Sequence, residues 1–262
     1  MSAIIIENSL VHYEALGRGQ PLLFLHGWLG SWRYWVPTMV DLAASHRAYA
    51  LDFWGFGDSD KIAARYDIRG YVSQVALFVD QLGIDRTPII GHGLGAIVGI
   101  YFALAYPDRA EQLLAVSTPL TSACLARSLS TFSGGENPAR IVLGRRLKDY
   151  EEVDIEAAKT DGQAVVLSLR SAMDQDVLSD LQDLEVPVLL VNGQDDPLIQ
   201  LPDAALLAGL GANISTLVFE GAQHYPMLDD ASKFARLIRD FVVFRDAWDR
   251  IKLKNEWKRR IR

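Results

Sequence analysis

The sequence predicts an α/β protein: a mostly parallel central sheet with helices on both faces and a helical lid inserted into it. Three observations point there. Short apolar runs alternate with helical patterns along most of the chain, which is how parallel strands and their crossover helices read. Each run ends in small or polar residues, as in Leu25-His26-Gly27 and Val191-Asn192-Gly193. And a chain of 262 residues that is 50% apolar can bury one large core.

The elements follow in order. Ile4–Glu7 and Ser9–Ala15 read as two strands turning at Asn8. Pro21–His26 is a strand followed by a helix from about Ser31 to Ala44, and Arg47–Asp52 a strand followed by a helix from about Ile68 to Leu82. Thr87–His92 leads into a small-residue helix, Leu94 to Ala105; Glu111–Ser117 is the next strand. Pro187–Asn192 and Ser215–Glu220 close the sheet, and a last helix begins near Ala231. Between Pro119 and Pro187 no buried strand is evident: Ser130–Pro138 is loop-like, and Tyr150–Lys159 and Val165–Met173 are helical. The expected organisation is a core of residues 1–118 and 186–244, a helical lid of 119–185 and a basic helical tail of 245–262.

Composition removes several function classes. A net charge of −7 argues against a nucleic-acid binder, which concentrates positive charge. One cysteine, Cys124, rules out a disulfide framework within the chain and a cysteine metal cluster. No basic segment precedes a long apolar run at the start, and no stretch nears the roughly 20 apolar residues of a membrane span, so a cytoplasmic location is expected.

In a parallel sheet ligands meet the loops after the strands' carboxyl ends. Those loops hold His26-Gly27-Trp28, Asp52 to Ser59, Gly91 to Ala96, Ser117-Thr118, Gly193 to Pro197 and Gly221 to His224. A carboxylate, Asp196 with Asp195 beside it, follows one late strand, and His224 follows the next. They offer an acid and a base in the order a triad on this architecture uses.

These segments together resemble the α/β-hydrolase superfamily, of the lid-bearing, esterase-like type. The resemblance rests on His26-Gly27, Asp52…Gly55-x-Gly57-x-Ser59, the frame Gly91-His92-Gly93-Leu94-Gly95, Gly193-x-x-Asp196 and Gly221-x-x-His224. It implies that Asp196 is the triad acid, favoured over Asp195 by its spacing from Gly193, and His224 the base. It implies backbone oxyanion donors at Trp28 and Leu94, and structural roles for His92 and His26. His12 and His46 carry no motif. The family's elbow pattern is G-x-S-x-G, with the serine on a sharp strand-to-helix turn. Here that position is Gly93, so the frame is kept and the attacking oxygen is missing.

Three readings of Gly93 stay open: an inactivated serine hydrolase, a non-catalytic binder of small hydrophobic ligands on a hydrolase scaffold, and a hydrolase in which Asp196–His224 activates water. Ser117 lies near the expected pocket but lacks the elbow geometry of a replacement nucleophile. The aromatic residues Trp32, Phe53 and Trp54 are candidates for lining an apolar cavity suited to a small apolar molecule. No metal-ligand spacing is present, and no cofactor is expected. The tail carries eight Lys/Arg and three Asp/Glu between Arg245 and Arg262. Apolar spacing through Ile251 continues the last helix, and weak contact with an anionic membrane is one expectation for it.

Overall fold

The computed structural model describes residues 2–200, 206–207 and 209–245. Eight strands form one sheet in the order β1-β2-β4-β3-β5-β6-β7-β8. They are β1 (Ser2–Ile6), β2 (Ser9–Gly17), β3 (Gln20–Leu25), β4 (His46–Leu51), β5 (Thr87–His92), β6 (Ala110–Val116), β7 (Val188–Gly193) and β8 (Ile214–Phe219). The β1–β2 and β2–β4 pairs are antiparallel, and all others are parallel. Burial explains the arrangement. Every residue of β5 and β7 is buried, as strands covered on both faces require, whereas the edge strands β1 and β8 alternate.

The helices are α1 (Val36–Leu42), α2 (Ile68–Gln81), α3 (Leu94–Ala105), α4 (Arg127–Ser130), α5 (Pro138–Leu143), α6 (Glu151–Ala157), α7 (Gly162–Met173), α8 (Val177–Gln182), α9 (Pro226–Asp229) and α10 (Ala231–Phe244). The chain passes from β3 through α1 to β4 on one side, then from β4 through α2 to β5 on the other. Right-handed crossovers therefore put α1 on one face and α2 and α3 on the opposite face. Contacts agree: α1 packs with α10, and α2 with α3. The loops after β3 and β5 thus diverge to opposite faces, and the crevice between them is where a ligand fits. The helices α4 to α8 all fall between β6 and β7, and α7 packs against α2 and α3.

Several boundaries differ from expectation. The helix expected from Ser31 is instead a 3₁₀ turn, Trp32–Trp35, capped by the Ser31 side chain, with α1 starting only at Val36. Pro37 explains this: it has no N–H and suits the first turn of a helix, not its middle. The helix α7 starts at Gly162, where Asp161 accepts from the Gln163 amide. The expected loop 130–138 is framed by α4 and by α5, which Asn137 caps. The last helix is described to Phe244, after which Arg245 turns to φ +46°; its expected continuation through Ile251 falls on residues outside the described ones. Residues 246–262, which hold the rest of the basic tail, lie outside the described residues.

Candidate functional site

Gly93 links β5 to α3 with φ +51° and ψ −109°, a backbone region that glycine enters without the clash a Cβ would add. The turn is this tight because α3 starts against β3: a Cβ on Gly95 would lie 2.2 Å from the Leu25 carbonyl oxygen. The Gly93 amide donates to the Val116 carbonyl, and the Gly95 amide to the His26 carbonyl. The loops after β3, β5 and β6 are thereby locked together.

Asp196 and His224 meet at the ends of β7 and β8. The His224 Nδ1–H faces both oxygens of Asp196 at 3.0 Å. Asp196 also accepts from the Leu198 and Ile199 amides at 2.8 and 3.0 Å, and from the Ser117 hydroxyl at 2.7 Å. Burial alone would raise its pKa, but the charge and hydrogen bond of His224 and the two amides outweigh it, and the pKa falls to about 2. The carboxylate is therefore ionised at neutral pH, and it sets the His224 tautomer with Nε2 left to accept a proton. Asp195, the neighbouring candidate, uses its amide on the Ala222 carbonyl.

His92 holds these loops in register. Its Nε2–H donates to the His224 carbonyl at 3.0 Å, because a carbonyl can only accept. Its Nδ1 must then accept from the Tyr34 hydroxyl at 3.0 Å, and the Tyr34 oxygen in turn accepts from the Gly27 amide at 2.6 Å. Burial, and then the nearby His224 charge, push the His92 pKa well below its usual value, which keeps this tautomer neutral. His26 is also a packed residue: it donates from Nδ1 to the Gly27 carbonyl, accepts from the Phe53 amide, and is pushed toward neutrality first by burial.

Trp28 and Leu94 are both buried beside Gly93. Among the described residues, neither amide donates to a protein acceptor. The Trp28 ring covers Gly93, with Cε3 3.4 Å from where a Cβ would stand. Its indole N–H donates to Ser168 on α7 at 3.1 Å.

The three aromatic candidates are not gathered at this pair. Phe53 packs on His26 and Tyr71, each at 4.8 Å between ring centroids, and Trp54 is buried under Arg65. Trp32 does line a cavity, but with Glu14, Arg33 and Glu151 rather than with Asp196 or His224. A second cavity of about 270 Å³ lies among Leu125, Phe132, Val166, Leu169 and Met173. It adjoins the acid loop, since Leu125 bridges to Ile199.

Contacts between distant parts of the chain were invisible in the sequence. Tyr34, Ser117 and Ser168 carry no motif and act only through partners far along the chain. His12 is another case: its Nδ1 lies 2.9 Å from Asp52 Oδ2, with Asp58 close by. This cluster reads as a hydrogen-bonded set rather than a metal centre. Asp52 already accepts from the Trp32 and Asp58 amides, and Asp58 pairs with Lys159.

The family profile described as Alpha/beta hydrolase family matches residues 22–237. Over 254 residues the chain is 27% identical to the 2-hydroxymuconate semialdehyde hydrolase of Pseudomonas sp. (strain CF600), covering 88% of this chain and 89% of that protein. Among solved structures it is similar to a serine-to-glycine mutant of the N-acyl homoserine lactonase AidH, complexed with N-hexanoyl homoserine lactone. The TM-score is 0.81 at 22% identity, covering 93% of this chain and 97% of that one. The enol-lactonase from Burkholderia xenovorans LB400 is similar at TM-score 0.78 and 18% identity, covering 92% and 100%. At these identities the structural likenesses speak to fold. Among the described residues, no helix is long and apolar enough to cross a membrane.

Proposed function

Because the chain belongs to the alpha/beta hydrolase family, we propose that it binds a small apolar ester-like compound, an ester or lactone, at Asp196–His224 and hydrolyses it slowly with water. The observation that carries this reading is the retained pair itself. Asp196 stays fully engaged by four donor groups and ionised, beside a position that has no nucleophile. An acid that served only to close a turn would not need to present a histidine with Nε2 open.

In this mechanism His224 Nε2 takes a proton from water as the water oxygen attacks the carbonyl carbon. The amides of Trp28 and Leu94 receive the oxyanion, with Leu94 at the positive end of α3. Collapse of the intermediate breaks the bond to the leaving oxygen, which takes the proton from His224. Residues 119–185 serve as the lid, and the 270 Å³ cavity between α4 and α7 takes the apolar part of the ligand. Removal of one triad member from a serine hydrolase leaves roughly 10³–10⁴-fold catalysis over water, which sets the expected scale.

A second reading, a non-catalytic binder, is favoured by one observation: Gly93, Leu94, Trp28 and His224 are all buried. The similar lactonase mutant complexed with an intact lactone supports binding in either case. Both readings are tested by measuring hydrolysis of short-chain aryl esters and N-acyl lactones, alongside ligand-induced thermal shifts. Turnover above buffer that vanishes in His224→Ala supports the water mechanism. Equal rates in both proteins sink it, and thermal stabilisation without turnover leaves the binder.

A further inference from the structure

We infer that a water molecule is a resident ligand of this protein, held by Thr118 and Asn192 in a buried site behind Asp196, and that it positions the acid. A cavity of about 30 Å³ lies beside the ends of β6 and β7, and both residues line it. Thr118 is 3% and Asn192 7% exposed. Thr118 Oγ1 and Asn192 Nδ2 are both buried, and among the described residues neither has a hydrogen-bond partner. Leaving such groups unpaired is costly, and in folded proteins the large majority find a protein or water partner.

The space selects its ligand. Roughly 10–15 Å³ admits one water, so a cavity of about 30 Å³ has room for water and for no organic molecule. Among the described residues no charged side chain lines it; the other walls include Thr216 and the apolar Leu120, Leu190 and Leu217. An ion would find no counter-charge there, and an apolar guest would leave both polar groups unmet. Water meets both. It accepts from the Asn192 amide N–H, and it shares a hydrogen bond with the Thr118 hydroxyl, which can donate or accept.

The location gives this water its role, which rests on the reading of Asp196–His224 as the reacting pair. Thr118 follows Ser117, which stands at φ +46°. A residue in that region persists only where its surroundings over-determine it. The Ser117 amide donates to the Val191 carbonyl at 2.8 Å, and its hydroxyl to Asp196 at 2.7 Å. The water adds a third tie, joining the residue after Ser117 to the residue after Val191. Asn192 then leads into Gly193, whose carbonyl accepts from the Asp196 amide at 3.4 Å. One bridge thus fixes both segments that hold the carboxylate. Thr118 and Asn192 are positioning residues, acting on the pair through Ser117 and the acid loop.

The test uses the full chain. A high-resolution crystal structure of the parent is expected to show an ordered water within hydrogen-bond distance of Thr118 Oγ1 and Asn192 Nδ2. Thr118→Val keeps the side-chain shape and removes the hydroxyl. Solvent exchange of the His224 Nδ1 proton, followed by NMR, should then quicken at least about fivefold, the low end of what one orphaned buried donor costs. Thr118→Ser keeps the hydroxyl and should exchange as the parent does. Amides of α2 should keep their parent rates in both variants, which a general loosening of the fold would not allow. A site that is dry or filled by protein atoms overturns the proposal. So does Thr118→Val with the parent's exchange at His224, or with α2 quickened equally. Absence of ester turnover would sink the hydrolytic reading and leave these measurements untouched, because none of them uses a substrate.

Discussion

At residue 93 the glycine offers no side-chain oxygen and suits the turn's positive φ. The nearest atoms to an added Cβ are Trp28 ring carbons at 3.4 and 3.5 Å, ordinary contact distances, so a serine fits in space. It does not fit in torsion: φ +51° costs an L-residue about 1–3 kcal/mol. Gly93→Ser is therefore expected to fold, to lose about 1–3 kcal/mol in urea denaturation, and to release a stoichiometric burst of aryl alcohol from activated esters. If this variant is silent across aryl and alkyl esters, the position is not a vacated nucleophile. Ser117 offers the contrast. It keeps a positive φ of 46° although it is not glycine, and its hydroxyl spends that geometry on Asp196. Its hydroxyl reads from the sequence as a strand-end group, because the partner lies 79 residues away.

At the scale of elements, the helical segment is tied to the core mainly through α6 and α7. Glu156 on α6 is fully buried and accepts from Arg33 and Ser31 of the core, with Lys159 at 3.1 Å. Replacing a buried ion-pair partner costs about 3–5 kcal/mol when the other charge is trapped. Arg33 and Lys159 are each about one-third exposed and can turn to water, which lowers the cost. Glu156→Leu should thus destabilise the chain by about 2 kcal/mol. Arg140→Ala, which breaks the exposed pair with Asp154, should cost under about 1 kcal/mol. Urea midpoints for the two variants decide it; similar values would mean that α6 is not a principal clamp.

For the whole molecule, buried histidines and Asp196 set the response to acid. His26 and His92 have lowered pKa values, mainly through burial. Their stabilising effect is present above the unfolded value of about 6.5 and is lost as pH falls toward their folded values. Asp196, lowered from 3.8 to about 2, adds a second loss between those pH values. His12 acts in the opposite sense. Burial opposes its charge, but Asp52 wins and the pKa is raised, so its contribution is full below 6.5 and fades as pH rises through the folded value. Counting half-buried His46, lowered first by burial, three depressed histidines stand against one raised histidine and leave a net loss on acidification. The melting temperature should fall from pH 7 to pH 5 and fall again below pH 4. His12→Gln should steepen the first decline, and a melting temperature flat between pH 7 and 5 would contradict this balance.

The sequence by itself determined the α/β class, the strand-and-helix alternation and the loops that carry Gly93, Asp196 and His224. These rest on local physics: strand and helix periodicity, and glycine frames only a few residues long beside strand ends. It also determined that the elbow carries no hydroxyl. The tertiary structure alone decided that Tyr34 and His92 brace the loops, that Ser117 supports Asp196, and that Trp28 reaches Ser168 on α7. It likewise moved Trp32 to a separate cavity and put Phe53 and Trp54 in the interior. Each of those facts depends on chain segments meeting across long separations, 140 residues in the case of Trp28 and Ser168. No local pattern encodes such a meeting; it arises only when the sheet has assembled and its covering helices have packed.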